Sequence, residues 1–400
     1  MLKSKNLNYF CIIIFLCLIF LIFKKNFSLF MGNWALGEWL INYEGGFVRR
    51  GLLGQIFQIF DNPGRIIHFF QKVIIFLFFI SILIYLFLEK KKSLLLQFTI
   101  IILFCSGGVV DFLTSKVTFE YLDRKEILFY LTLMSLLLLK YIFPLNSYTW
   151  ILLCTILSSL MILIHELFAV FFVPSLYFII FLNNFNDKKF FLRSSLLYLI
   201  PTIFVFLLVF INHGSVDTVY AIFESYKSTD VQNIYKVESG IKALAWSLDE
   251  SHKLTLRMFK FGLIYPWFFY LFFNLFICIF LSYSLNNDLK RFLISNTILL
   301  LCILGFVVAS YSGWDWGRFI SMATIGYAIL ICINFSTYKI EKNFDENQSF
   351  ISDKFKVKKL MSFRSLFISI FIIAITMLST SVTMPSCCPQ KSLIFFQWWN

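Results

Sequence analysis

Long apolar runs alternate with short polar connectors along the whole chain. Most of these runs approach the ~20 residues that an α-helix needs to cross a bilayer. A membrane β-barrel would instead show short segments of strict alternation, which this sequence lacks. The pattern predicts an all-α fold, a polytopic transmembrane helix bundle of about eleven spans. The predicted spans are residues 7–23, 66–88, 94–110, 127–144, 148–164, 167–182, 195–212, 259–284, 292–310, 319–336 and 365–380.

Runs of basic residues occur in four connectors that fall on the same side of the predicted spans, at residues 90–92, 188–189, 290–291 and 339–364. Short basic connectors are retained on the cytoplasmic side of a membrane. The chain is therefore expected to begin inside the cell and to end outside it. The run at 7–23 is followed by two lysines and by no small-residue cleavage site, which favours an uncleaved first span over a signal peptide.

Mixed charges collect in the connectors that are expected to face outwards. Because the sequence has no internal repeat and no low-complexity linker, residues 1–400 are expected to form one integral membrane domain. Residues 213–258 are its largest outer loop, which is long enough for two amphipathic helices. Such a loop can cover a substrate cleft or lie as a flap on the surface, and both interpretations stay open.

Composition narrows the possible functions. Hydrophobic residues make up 59% of the chain and charged residues 14%, whereas soluble domains carry about 25% charged residues. The formal net charge of +13 is ordinary for a membrane protein with basic connectors, and nothing in the sequence predicts a nucleic-acid partner. The cysteines and histidines lack metal-ligand spacing, and no phosphate-binding loop, dinucleotide fingerprint or nucleophile elbow occurs. No metal and no cofactor are predicted.

The stretch NYEGGFVRRGLLG places two arginines after a glycine turn. Beyond Arg50 the apolar positions share one helical face, which predicts a short helix in the membrane interface. These positions are Leu52, Leu53, Ile56, Phe57 and Phe60, while Gln55 and Gln58 point away. The free N–H groups of a helix start attract anions and Arg49 and Arg50 add guanidinium donors, so the stretch is a candidate phosphate site. Alternatively, both arginines contact lipid headgroups or pair with Glu44.

The stretch SGWDWGRFIS combines aromatic and charged side chains. Asp315 and Arg318 are three positions apart, so in a helix they share a face. Trp314 and Trp316 flank the carboxylate, an arrangement that suits a sugar ring with one apolar face and several hydroxyl groups. Tryptophan is also common where membrane helices meet water, and this alternative needs no ligand.

Two further stretches carry charges next to apolar runs. In IHELF, His165 and Glu166 interrupt a long apolar stretch, which predicts a base, an acceptor-binding pair or a structural pair. Alternatively they cap two short spans, and without a second histidine at helical spacing a metal site is not favoured. In VTFEYLDRKEILF, the four charged residues from 123 to 126 are predicted to form a solvated helix start. Asp123 or Arg124 could instead line a cavity.

The layout of the chain resembles that of the Wzy-type polymerases of bacterial O-antigen and capsule assembly, which have about ten spans, charged outer loops and some 400 residues. The stretch GEWLINYEGGFVRRGLLG is also similar to the first outer loop of GT-C membrane glycosyltransferases, which carries an essential acid. The resemblance implies an enzyme of the bacterial cytoplasmic membrane that joins undecaprenyl-diphosphate-linked oligosaccharide repeat units on the outer face. It implies as partners the lipid-linked oligosaccharide, the lipid bilayer and a chain-length regulator protein.

The same resemblance implies roles for the charged residues. Arg49, Arg50 and Arg318 would bind the diphosphate and stabilise it as it leaves. Glu44 or Asp315 would act as the general base, with His165 or Glu166 as further candidates. The open alternatives are a GT-C glycosyltransferase that uses a polyprenyl-phosphate sugar, and a flippase or other transporter. Charges at one rim favour an enzyme, because transporters carry charges or broken helices near the bilayer midplane.

Overall fold

A computed structural model describes residues 33–89, 92–104, 124–143, 146–184, 187–227, 229–231, 238–260, 265–285, 289–312 and 316–335. Throughout these residues the regular structure is helical, which confirms the predicted all-α class. The first and last predicted spans, 7–23 and 365–380, lie outside the described residues, as do Asp123, Trp314 and Asp315.

The described helices are named in their order along the chain. The first eight are α1 (Asn33–Leu40), α2 (Gly51–Phe57), α3 (Pro63–Leu88), α4 (Lys92–Phe104), α5 (Glu126–Ile142), α6 (Ser147–Ile164), α7 (Leu167–Phe171) and α8 (Val173–Asn184). The remaining ones are α9 (Lys188–Ile211), α10 (Val216–Ser225), α11 (Glu238–Lys242), a 3₁₀ turn (Ala243–Ala245), α12 (Leu248–Lys260), α13 (Tyr265–Leu285), α14 (Leu289–Ser312) and α15 (Trp316–Phe335).

Five of the described helices, α3, α6, α9, α14 and α15, are long and apolar enough to cross a membrane. Shorter apolar stretches occur at Val173–Leu182 and Asn274–Tyr283. These helices indicate a membrane protein, while the predicted number of about eleven spans stays a prediction. Four of the five, α3, α6, α9 and α14, expose large apolar side chains, among them Ile200, Phe204 and Phe210 on α9 and Leu304 and Val308 on α14. Such faces are compatible with a lipid bilayer.

The helix α15 lies at the centre of the described bundle, because every one of its residues is buried. Close packing against α7 and α8 depends on Gly326, where an added Cβ would come within 2.1 Å of the Phe172 ring. At one end of the bundle, Lys140 Nζ near the end of α5 donates to the Ile333 carbonyl near the end of α15 at 3.0 Å. These two helices therefore run parallel, and their starts meet at the other end, which is called the charged end below.

The predicted outer loop 213–258 is anchored to the charged end by polar contacts. Tyr226 Oη donates to the Leu40 carbonyl at 2.8 Å, which joins α10 to α1. The carboxylate of Asp230 accepts from the backbone N–H groups of Gly64 and Arg65, at 3.1 and 3.0 Å. Asp230 therefore caps the start of α3 from a distant part of the chain. These contacts fix the segments of the loop around residues 226 and 230 against α1 and α3.

The short helix predicted after Arg50 is present as α2, and one side of it packs against the rest of the protein. Gly51, Leu53, Gly54 and Phe57 are buried, whereas Ile56 is 47% exposed. A Cβ on Gly54 would lie 2.0 Å from the Ile41 carbonyl oxygen, so glycine allows α2 to pack directly on the preceding backbone. The side of α2 that packs against the protein therefore includes both glycines as well as Leu53 and Phe57. The location of α2 in a membrane interface stays a prediction.

Candidate functional site

Charged residues from five parts of the chain meet at the charged end and form one largely buried group, called the charge cluster. Its members are Glu38, Arg49, Arg50, Arg124, Lys125, Glu126, His165, Glu166 and Arg318. With a neutral histidine, its five cationic side chains face three carboxylates, which is a formal surplus of two positive charges. Buried charges require such pairing, since an isolated ion in an apolar environment is strongly destabilising.

The pair of Arg50 and Glu166 joins the start of α2 to the break between α6 and α7. Arg50 Nε lies 3.1 and 2.9 Å from the two Glu166 oxygens, and a terminal nitrogen of the same guanidinium contacts Oε1. Arg50 has the left-handed backbone conformation, with φ 68°, which costs a non-glycine residue about 1–2 kcal/mol. Its carbonyl accepts a hydrogen bond from Lys125 Nζ at 2.7 Å. Contacts at both its side chain and its backbone thus fix Arg50 in a strained conformation.

Three guanidinium groups converge on the carboxylate of Glu38. Its Oε1 accepts from Arg124 at 2.8 Å and lies 3.7 Å from Arg50 and 3.6 Å from Arg318. Burial alone would raise the pKa of Glu38, but the attraction of these three arginines holds that pKa well below its ordinary value. Glu38 therefore remains ionised and organises the cations around it.

Glu126 is the first residue of α5 and is 1% exposed. Its Oε1 lies 3.4 Å from Arg318 Nε and 3.7 Å from His165 Nε2, and neither carboxylate oxygen makes a hydrogen bond to the described residues. Burial raises the pKa of Glu126 above its ordinary value, which the charge of Arg318 opposes only in part. Glu126 thus differs from Glu38, whose arginine partners lower its pKa.

His165 lies between two carboxylates. Its backbone is extended, with φ −164° and ψ 125°, and ends α6. Its Nδ1 accepts from the backbone N–H of Leu167 at 3.3 Å and lies 3.3 Å from Glu166, while Nε2 faces Glu126. Burial and the charge of Arg50 lower the pKa of His165 well below its ordinary value, so the ring is neutral. No cluster of metal-ligating side chains occurs among the described residues.

The predicted solvated helix start at residues 123–126 is wrong for the residues that the structure describes. Arg124 is 4% exposed and Lys125 is completely buried, as is Glu126 beside them. Burial lowers the pKa of Lys125 to about 7. The sequence did not reveal this burial, because the partners Glu38 and Arg50 lie some 75 or more positions away. The sequence feature that could have indicated this burial is the group of charges directly before an apolar run.

Two other predicted site residues lie apart from these contacts. The ring of Trp316 is 4% exposed and packs edge-on against Phe268 and Phe306, at centroid distances of 5.1 and 5.6 Å. This environment favours aromatic packing over a sugar platform. The exposed carboxylate of Glu44 accepts from Gln58 Nε2 at 2.7 Å. The partners of Arg49 and Arg50 are therefore Glu166 and Glu38, and the predicted alternative of pairing with Glu44 does not describe these contacts.

Arg49, Arg50 and Glu166 form the more open side of the charge cluster. The Arg49 side chain is 22% exposed, compared with 15% for Arg50 and 14% for Glu166. Arg49 lies 3.6 Å from Glu166 Oε1 and donates to the Ala243 carbonyl at 3.5 Å, which links the cluster to the outer loop. Its partly exposed guanidinium and the surplus positive charge suit an anion that approaches from this side. No protein family, no curated protein and no solved structure matches this chain.

Proposed function

We propose that this protein is a membrane glycosyltransferase that polymerises oligosaccharide repeat units carried on undecaprenyl diphosphate. The reaction would take place at the outer face of the bacterial cytoplasmic membrane. The observation that carries the proposal is the charge cluster, which combines surplus arginine charge with buried carboxylates at one end of an apolar helix bundle. A lipid-linked donor has the complementary parts, namely an anionic diphosphate, a sugar with hydroxyl groups and a long apolar chain.

The cations of the charge cluster suit the binding of the donor's diphosphate and its stabilisation as it leaves. A diphosphate bound beside Arg49 and Arg50 would meet guanidinium groups, which keep their charge at all physiological pH values and form paired hydrogen bonds with phosphate oxygens. As the bond to the sugar breaks, negative charge accumulates on the diphosphate. Donors that are fixed before the reaction stabilise this charge most effectively in a site with little water. The contacts of Arg50 with Glu166 and Lys125 provide such fixation.

The helix bundle offers apolar surfaces for the prenyl chain of the donor. Apolar side chains exposed on α9 and α14 offer contact surfaces for acyl and prenyl chains. The nearby charged end would hold the diphosphate and the sugars in or near water. A glycosyl diphosphate is an activated donor, so the reaction needs no nucleotide at this site.

Deletion of the gene in the source strain, followed by gel analysis of the surface glycan, tests the proposal. Loss of long chains with a single repeat unit still displayed would support a polymerase, and plasmid-borne wild-type protein should restore the long chains. Repeat units trapped on the cytoplasmic side would indicate a flippase instead. A truncated repeat unit would indicate a transferase that builds the unit. Unchanged long-chain glycan would overturn the proposal.

A further inference from the structure

We propose that Glu126 is the general base of this reaction, and that the acceptor hydroxyl binds between Glu126 and His165. The assignment rests on the proposed function, and it replaces Glu44 and Glu166 as candidate bases. The reason for the assignment is that Glu126 is buried and its carboxylate oxygens can still accept hydrogen bonds.

The first observation is that the Glu126 carboxylate makes no hydrogen bond to the described residues, although Arg318 Nε lies 3.4 Å from its Oε1. The side chain is 1% exposed, yet neither oxygen makes a hydrogen bond to the described residues. Buried carboxylate oxygens normally accept several hydrogen bonds, because a buried oxygen without a donor has lost its contacts with water and gained nothing in return. In the same cluster, Glu38 Oε1 accepts from Arg124 and Glu166 accepts from Arg50. Glu126 is therefore the carboxylate best able to accept a proton from a bound hydroxyl.

The second observation is the orientation of the neighbouring imidazole. The backbone N–H of Leu167 donates to His165 Nδ1 at 3.3 Å, a contact that favours the neutral tautomer with its proton on Nε2, whereas Glu166 Oε2, also 3.3 Å from Nδ1, favours the other tautomer. Nε2 is buried, makes no hydrogen bond to the described residues and lies 3.7 Å from Glu126 Oε1. A hydroxyl oxygen at roughly 2.8 Å from both atoms could accept from Nε2–H and donate to Glu126. His165 would then be a positioning residue that orients the hydroxyl.

The third observation separates Glu126 from the other carboxylates. Burial would raise the pKa of Glu166, but Arg50 and His165 hold it well below its ordinary value, which makes Glu166 a weak base. Glu38 is weakened in the same way by its arginine partners. Burial instead raises the pKa of Glu126, and a general base works best when its pKa lies near the working pH.

The chemical step then balances as follows. Glu126 takes the proton of the acceptor hydroxyl while the hydroxyl oxygen forms a bond to the anomeric carbon of the donor sugar. The bond between that carbon and the diphosphate oxygen breaks, and its electron pair leaves with the diphosphate. Arg49 and Arg50 are on the open side of the cluster, where they would stabilise the leaving diphosphate. The proton on Glu126 is afterwards released to water.

An assay that uses the natural substrate tests the assignment. Lipid-linked repeat units extracted from the deletion strain are added to full-length protein in lipid vesicles, and polymer is read on a gel. Glu126→Gln keeps the size of the side chain but cannot accept the proton, so its rate should fall at least about 100-fold. Glu126→Asp keeps a carboxylate and should retain a measurable part of the rate. The matched control is Glu89→Gln, which makes the same change at a glutamate 3% exposed at the opposite end of the bundle.

The pH profile of the wild-type protein provides a readout that does not depend on the folding of any variant. Its rate should fall as the pH falls, with a midpoint above 4.5, because protonated Glu126 cannot act as a base. Charged and titratable groups that face Glu126 are Glu38 from α1, Arg50 before α2, Arg124 and Lys125 before α5, Tyr130 within α5, His165 before α7 and Arg318 from α15. Glu126→Asp should shift this midpoint, whereas Glu89→Gln should leave it unchanged.

The outcomes separate this inference from the proposed function. If wild-type protein does not lengthen the extracted units, the proposed function fails. If wild-type protein does so and Glu126→Gln is equally fast, the function stands and the assignment of Glu126 is overturned. A wild-type rate that shows no decline down to pH 4.5 would overturn it as well.

Discussion

The guanidinium of Arg50 donates hydrogen bonds from two of its nitrogens to the carboxylate of Glu166, and the two residues are 116 positions apart in the sequence. Three structural features meet in this contact, namely the strained backbone before α2, the extended break after α6 and the open side of the charge cluster. Both side chains are mostly buried. When one of them is removed, the other is left as a buried charge that water cannot solvate. The contact therefore couples the geometry of the candidate site to the stability of the fold.

A double-mutant cycle on this pair measures that coupling. Arg50→Gln and Glu166→Gln should each destabilise the protein by about 3–5 kcal/mol, because each leaves a buried charge without its partner. The double variant should lose less than the sum, with a coupling energy of about 0.5–3 kcal/mol. Thermal unfolding of the full chain in detergent provides the measurement. The exposed pair of Glu224 and Lys227 is the control, and Glu224→Gln should change stability by less than about 1 kcal/mol.

Arg49 is the cation with which phosphate binding is tested most directly, since its side chain is the most exposed of the three at the open side. Arg49→Lys retains the positive charge but loses the planar fork. Polymer synthesis should fall about 100-fold while the amount of protein in the membrane stays constant. Lys253→Arg on α12, an exposed position, is the control and should have no effect. Full activity in Arg49→Lys would favour contact with lipid headgroups over the paired recognition of phosphate.

The buried side chain of Lys125 should make the stability of the folded protein depend on pH. Burial lowers its pKa in the folded protein to about 7, while the unfolded chain has the ordinary value of 10.5. Between these values the unfolded state binds more protons, so this group makes the protein more stable as the pH rises from 7 towards 10.5. Lys125→Met removes the titration and should flatten the rise of melting temperature over that interval. Equal slopes for both proteins would show that Lys125 titrates normally.

Two glycines test the packing of α2 and the turn that precedes it. Gly54→Ala would place a Cβ 2.0 Å from a backbone carbonyl oxygen, which cannot move aside as a side chain could, at a cost of about 1–3 kcal/mol. Gly46→Ala meets no atom within 4 Å, but its φ of +99° costs an alanine about 1–2 kcal/mol. Melting temperatures should therefore fall in both variants. A normal melting temperature in Gly54→Ala would contradict the packing of α2 against Ile41.

The orientation of the charged end is a separate prediction from the basic connectors. Tyr220 on α10 is 64% exposed and belongs to the loop anchored at the charged end. In a background without native cysteines, Tyr220→Cys should react with a membrane-impermeant thiol reagent added to the outer side of the cytoplasmic membrane. A cysteine in the basic connector at 188–189 should react only after that membrane is made permeable. The opposite pattern would contradict an outward-facing site and the proposed reaction with it.

The sequence by itself determined the class of the fold and the position of several elements. Apolar runs bounded by charges predicted the helices, because a helix buries its own backbone polar groups and needs only apolar side chains to lie in a membrane. The two glycines before Phe47 and the arginines after it predicted a turn followed by a short helix. His165 and Glu166 were singled out because charges inside an apolar stretch are costly without a specific partner. All of these inferences depend on neighbours in the chain.

Only the tertiary structure decided which charges are paired and which carboxylate makes no hydrogen bond to the part of the chain that the structure describes. From the sequence alone, residues 124–126 were predicted to be solvated, and Trp316 was left open between a sugar platform and an interfacial tryptophan, although all four residues are buried. The contacts of Glu38 with Arg124, and of Glu126 with Arg318 and His165, join helices far apart in the sequence. The energy of a charge depends on its burial and on partners within a few ångströms. Helix packing sets both quantities, and a linear pattern of residues does not contain them.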